Sequence, residues 1–158
     1  VTHDPSPSLI VKPIDQVHFY LVASPAYLAK HGTPQVPADL LNHRGVLPTY
    51  TNLSNVVMHM DKAETEFVLP PSVLTSDTLM NYQLAKVGMG LAYLPEPVLF
   101  EDLADGSLVR VLEEYQYEPV TLYAAYINRQ YLSAKVRTFI DFLAEKIRER
   151  HVLYGKDS

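Results

Sequence analysis

The stretch Ser76-Asp77-Thr78-Leu79-Met80-Asn81-Tyr82-Gln83-Leu84-Ala85-Lys86-Val87-Gly88-Met89-Gly90-Leu91-Ala92-Tyr93-Leu94-Pro95 decides the fold class. Ser76 or Asp77 is a good N-cap, because a short side-chain oxygen can accept from the free N–H groups of a first helical turn. Met80, Leu84 and Val87 then recur at helical spacing, and Gly88 supplies the left-handed stop. Leu91 to Leu94 follow as a continuous apolar run, the composition of a strand covered on both faces. A capped helix feeding directly into such a strand is the repeating unit of an α/β protein.

Working outward, the same grammar recurs. Val17-His18-Phe19-Tyr20-Leu21-Val22-Ala23 reads as a buried strand, and Ser24-Pro25 opens a short helix that Gly32 closes. Pro37 starts another short helix through about Asn42, and Val46 to Tyr50 is a strand end entering a loop. A helix from about Pro97 to Asp105 ends at Gly106, with strands at Leu108 to Leu112 and Val120 to Tyr126. Ser133 caps the longest helix, with Val136, Phe139, Ile140, Leu143 and Ile147 as its core-facing stripe. The opening segment Thr2 to Ser8, with two prolines, is extended or turn. Alternation of strands and helices predicts mostly parallel pairing.

Composition narrows the function. The 158 residues are 47% hydrophobic and 20% charged, with net charge −5, and suit one domain or two small subdomains sharing a hinge. The 13 basic residues are dispersed, and the densest group (Lys135, Arg137, Lys146, Arg148, Arg150) shares its helix with Asp141, Glu145 and Glu149. Duplex binding needs cations gathered on one face, so this chain alone is not expected to bind nucleic acid. No apolar run is long enough to cross a bilayer, and Val1 to Ser8 has no charged-then-apolar export pattern.

Catalytic and metal signals are weak. The six histidines do not fall at helical i, i+4 positions, so no metal site is expected. In Met58-His59-Met60, strand alternation sets the imidazole opposite both sulfurs. Gly88-Met89-Gly90 follows a helix, where a dinucleotide loop would follow a strand. Asp61, Glu64 and Glu66 form an acidic patch near a surface turn, with nothing to desolvate them. No enzyme activity and no cofactor are expected.

Candidate ligand residues follow from strand ends. In open α/β sheets the carboxyl ends of strands and the amino ends of following helices face a common crevice. Thr75, Ser76, Asp77 and Thr78 lie at such a junction, where free N–H groups and hydroxyls can hold a carboxylate or phosphate. Asp77 equally can satisfy those donors itself as a cap. Thr49, Tyr50 and Thr51 form a second candidate loop, with an ordinary polar turn as the alternative. Ser24 is a cap first and a ligand contact second, and Tyr93 either touches ligand or packs under the hinge.

The order of these segments carries a resemblance. Ala23-Ser24-Pro25-Ala26-Tyr27-Leu28 followed by Gly32-Thr33-Pro34 and Pro37-Ala38-Asp39-Leu40 resembles the regulatory domain of LysR-type transcriptional regulators. So do Ser76-Asp77 leading to Gly88-Met89-Gly90-Leu91-Ala92-Tyr93-Leu94-Pro95, then Glu101 to Leu112, Leu122 to Tyr126, and Tyr131 to Leu143. The resemblance covers nearly the whole chain. It implies a type II periplasmic-binding-protein-like fold: two α/β subdomains joined by two crossing strands, with an effector in the cleft between them. The crossings are expected near Val22-Ala23 and Leu91-Ala92, giving residues 22–92 as subdomain II and residues 1–21 with 93–158 as part of subdomain I.

It also implies a cytoplasmic protein that senses a small organic acid, touches DNA only through a separate winged helix-turn-helix domain, and works as a homo-oligomer. That DNA-binding domain and the early part of subdomain I are not in this sequence, so it looks like a piece of a longer protein. Apolar surface, association and low affinity are therefore expected of it alone. A periplasmic-type solute-binding protein of a transporter would share the fold and stays open as the alternative.

Overall fold

The computed structural model describes residues 10–49, 56–60, 63–117, 119–126 and 134–153. In chain order the elements are β1 (Ile10–Val17), β2 (Phe19–Ala23), α1 (Pro25–His31), a 3-10 helix (Pro37–Asn42), β3 (Gly45–Pro48), β4 (Val56–Met60), β5 (Ala63–Phe67), β6 (Pro71–Thr75) and α2 (Thr78–Lys86). They continue as β7 (Leu91–Pro95), a 3-10 turn (Glu96–Val98), α3 (Phe100–Asp105), β8 (Val109–Arg110), β9 (Gln116–Tyr117), β10 (Val120–Tyr126) and α4 (Ala134–Leu153). Two compact units result: residues 18–119, and residues 1–17 with 120–158.

The larger unit is built on a five-stranded sheet in the order β6-β3-β7-β2-β8. β3 pairs in parallel with both β6 and β7, whereas β2 runs antiparallel to β7 and to β8. A three-stranded antiparallel sheet, β5-β4-β9, belongs to the same unit. The mostly parallel pairing expected from sequence is therefore corrected. Only the β6-β3-β7 core is parallel, because the β4–β5 hairpin and the reversed β2 contribute antiparallel ladders.

Continuous apolar runs become intelligible here. Successive side chains of a strand point to opposite faces. Leu21 and Ala23 of β2, Leu47 of β3, and Leu91 and Tyr93 of β7 join Tyr27 and Leu40 on one face. Val22, Val46, Ala92 and Leu94 join Ala85 of α2, Leu99 and Leu108 on the other. A strand between two packed layers has no polar side to show.

Packing also corrects the apolar stripe read for α2. Of that stripe Leu84 packs against the core, but Met80 and Val87 are exposed, and the buried residues are Asn81 and Ala85. Gly88 adopts φ 79°, the left-handed turn that ends the helix. Gly90 has a different reason: a Cβ there would overlap the Arg44 carbonyl oxygen, which accepts the Leu91 N–H at 2.8 Å.

Residues 93–119, which the sequence reading grouped with residues 1–21, pair within the larger unit. β8 lies against β2, and β9 lies against β4. In the smaller unit β1 and β10 form a two-stranded antiparallel ladder from Ile10 opposite Tyr126 to Val17 opposite Val120, irregular between Pro13 and Asp15. There α4 packs on β1, and Lys12 Nζ meets Asp141 Oδ1 at 2.9 Å. The expected stripe of α4 is only partly covered. Ile140 is buried and Leu143 and Ile147 are half-buried, but Val136 and Phe139 are exposed. No helix among the described residues is long and apolar enough to cross a membrane.

Candidate functional site

The parallel register of β3 and β6 brings two of the predicted segments together. Pro48 stands opposite Thr75, so both strands deliver their carboxyl ends to the same edge of the sheet. There the Thr49 N–H donates to the Thr75 carbonyl at 2.9 Å. Tyr50 and Thr51 lie outside the described residues.

At the β6–α2 junction the polar groups are closely knit. Asp77 is the N-cap of α2, its Oδ1 accepting from Leu79 N at 2.8 Å and Met80 N at 3.0 Å. Asp77 N donates in turn to Thr75 Oγ1 at 3.1 Å. The Thr75 hydroxyl lies within donating distance of Asp77 O, at 3.0 Å, and of Asn81 Oδ1, at 2.9 Å. Ser76 and Asp77 are exposed and Thr78 is partly buried. Asp77 thus occupies the first-turn donors that an anion would use.

Asn81 was missed in the sequence, where it reads as one polar residue in a helix. It is 1% exposed, and its side-chain amide lies one turn below the cap, beside Thr75. Buried amides fix a geometry because their donors and acceptors demand partners. Asn81 and Thr75 therefore tie the first turn of α2 to the end of β6.

The other candidates fall elsewhere. Tyr93 is buried in β7, its ring stacked on Phe19 at 4.9 Å between centroids. Ser24 caps α1, accepting from Tyr27 N at 3.3 Å, and is buried. Val22 stands opposite Ala92 in the antiparallel β2–β7 ladder, so Ser24 lies toward the amino end of β7, away from Thr75. The sheet separates Ser24 from the 75–78 junction by most of a strand length, on the order of 15 Å.

A second polar cluster anchors α2 from its other end. Asp102 of α3, 3% exposed, meets Lys86 Nζ at 2.6 Å, the Tyr82 hydroxyl at 2.6 Å and the Ser107 hydroxyl at 2.5 Å. Burial pushes its carboxyl up, but the hydrogen bonds from Lys86, Ser107 and Tyr82 outweigh this and hold it below the ordinary carboxylate range. The same carboxylate raises both the Lys86 ammonium and the Tyr82 phenol. The Asp102 carboxylate accepts from all three of these groups, which marks it as a lock between α2 and α3.

A polar strand-to-helix junction at the carboxyl end of parallel strands, on a two-layered lobe, defines an α/β ligand-binding module. The profile of the LysR substrate binding domain matches residues 1–148. The chain belongs to that family, and it is the effector-binding domain of LysR type, with a type II periplasmic-binding-protein-like α/β fold. It is 32% identical to an uncharacterized HTH-type transcriptional regulator of Haemophilus influenzae over 82% of this chain and 45% of that protein. It is 30% identical to the HTH-type transcriptional regulator CrgA of Neisseria meningitidis serogroup C, over 82% of this chain and 44% of CrgA.

Among solved structures, the CrgA regulatory domain superposes with TM-score 0.78 at 27% identity, covering 90% of this chain and 71% of that one. Full-length AphB, the Vibrio cholerae virulence activator, superposes with TM-score 0.74 at 29% identity, covering 90% of this chain and 49% of AphB. The chain spans less than half the length of the curated relatives named here.

Proposed function

We propose that this chain is the sensing part of a bacterial, cytoplasmic LysR-type DNA-binding regulator, and that a small organic acid is its effector. The effector is held at the end of β3 and β6 by Thr49, Thr75, Ser76, Asp77 and Thr78, with Tyr50 and Thr51, which follow Thr49 in the chain, as further contacts. Residues 22–92 carry every one of these positions. Ser24 and Tyr93 serve the site indirectly, by capping α1 and packing beneath the sheet. DNA is reached through a separate domain of a homo-oligomer, and the ligand biases the regulator only by its differential affinity for two arrangements.

One observation supports this reading above the others: parallel register brings Thr49 and the 75–78 junction to one edge, joined through Thr49 and Thr75. Relatives named as HTH-type transcriptional regulators favour this role over a transporter's solute-binding protein. The test is a thermal-shift screen of small aliphatic and aromatic carboxylates. A hit should raise the melting temperature of the parent chain, while Ser76→Ala loses at least tenfold in affinity without a lower melting temperature in the absence of ligand. A hit whose affinity Ser76→Ala retains refutes the assignment.

A further inference from the structure

At the opposite end of the sheet from that junction, the buried side chains of Tyr27 and His43 and the backbone of Arg44 form a polar knot. The Arg44 backbone N–H donates to the Tyr27 hydroxyl oxygen at 3.0 Å, and the same oxygen lies 3.2 Å from His43 Nδ1. Tyr27 is 4% exposed and His43 is 5% exposed. A backbone N–H can only donate, so the phenol oxygen is already an acceptor. Its own proton is satisfied when His43 Nδ1 is unprotonated and accepts it. With a proton on Nδ1, two donors converge on one oxygen and the buried phenol proton loses its acceptor, at the cost of an unmade buried hydrogen bond.

The knot lies where three segments meet. Tyr27 sits in the first turn of α1, and Ser24 caps that turn. Arg44 precedes β3, and its carbonyl accepts the N–H of Leu91, the first residue of β7. Gly88, in the turn between α2 and β7, approaches both Ser24 and Tyr27. We propose that the Tyr27–His43–Arg44 knot is a proton-operated latch, closed when His43 is neutral and loosened when its Nδ1 is protonated, that holds α1 against the starts of β3 and β7.

His31 of α1 stacks on the Tyr27 ring at 4.6 Å and, when charged, opposes a second charge on His43. Asp39 of the 3-10 helix favours one, but its Oδ2 is engaged by the N–H groups of Gln35 and Val36. Lys30 lies on α1, and β5, which packs beside the 3-10 helix, carries Glu64 and Glu66. Burial is the largest influence on His43 and, with His31, lowers its pKa from the ordinary 6.5. A histidine lowered in the folded state binds fewer protons than when unfolded. Its contribution to stability is therefore complete above pH 6.5 and falls as the pH drops below that value.

Nitrogen-detected NMR of the full chain between pH 7.5 and 5 tests this directly. His43 should keep its proton on Nε2 and titrate below 6.5, with the Tyr27 and Arg44 resonances moving together with it. Urea unfolding should show the folded-to-unfolded ratio of the parent chain dropping on acidification, tenfold for each unit by which His43 is depressed. His43→Gln, which still offers an acceptor but cannot titrate, should lose that drop, and His31→Gln should keep most of it. A His43 that titrates at 6.5 or above, or that carries its proton on Nδ1 at pH 7.5, overturns the latch. Identical pH profiles for the parent and His43→Gln would do so as well. If His43→Gln does not fold, the NMR titration of the parent chain decides alone.

Discussion

The two compact units answer the same sequence grammar differently. In residues 18–119 a central strand such as β7 is covered on both faces, and Leu91, Ala92 and Leu94 are essentially inaccessible. In the unit of residues 1–17 and 120–158 the amphipathic helix α4 has a comparable apolar stripe, yet Phe139 is 62% exposed and Phe142 is 53% exposed. A two-stranded ladder with one helix has too few layers to enclose large side chains. Apolar periodicity announces that a face is meant to be covered. Whether this chain covers it depends on how many layers its own topology provides.

That contrast can be broken by truncation. Leu91→Ala removes side-chain volume from a closed two-faced core and should cost about 2–5 kcal/mol, read from urea midpoints at constant slope. Asp102→Asn should come next, at roughly 1.5–3 kcal/mol, because it weakens three charge-assisted contacts at once. Lys86 is partly exposed and regains water, so the lower half of that range is expected. The pH dependence sharpens this. A carboxyl held low in the fold contributes stability above the ordinary carboxylate range and loses it as the pH falls through that range. The acid limb of the parent chain should therefore be steeper than that of Asp102→Asn, and equal limbs would show that Asp102 is not the lock inferred from its contacts.

Smaller effects test the caps. Asp77→Ala should cost about 1 kcal/mol, since Leu79 and Met80 lose their acceptor. The smallest change should be Phe139→Ala in α4, within roughly 0.5 kcal/mol, as for a surface site. A loss from Phe139→Ala as large as that from Leu91→Ala would mean that α4 is covered, and the contrast between the units would fail.

Much of the larger unit was legible because its signals are local. Ser24-Pro25 and Asp77 mark helix starts, Gly32, Gly88 and Gly106 mark helix stops, and the apolar runs of β2 and β7 announce burial on both sides. β1 was not read as a strand, since Lys12, Pro13 and Asp15 interrupt any clean alternation. The buried face of α2 was only partly read: Leu84 packs on the core as expected, but Asn81 and Ala85 are its buried residues in place of Met80 and Val87. At the candidate site, the 75–78 junction and Thr49 could be found from strand ends alone. Their adjacency, the role of Asn81, and the distance of Ser24 could not, because strand order is a long-range property. Tyr82 and Asp102 are separated by 20 positions and become partners only through the packing of α3 beside α2.

If the β6–α2 junction holds the effector, a titration of isotope-labelled chain with a carboxylate found by thermal shift will show it. Saturable shifts should concentrate on the backbone amides of Thr49 and of Thr75 through Thr78, with the side-chain amide of Asn81 following at the same apparent affinity. Saturable shifts confined to other parts of the lobe, with residues 75–78 and Asn81 unmoved at full occupancy, would contradict it.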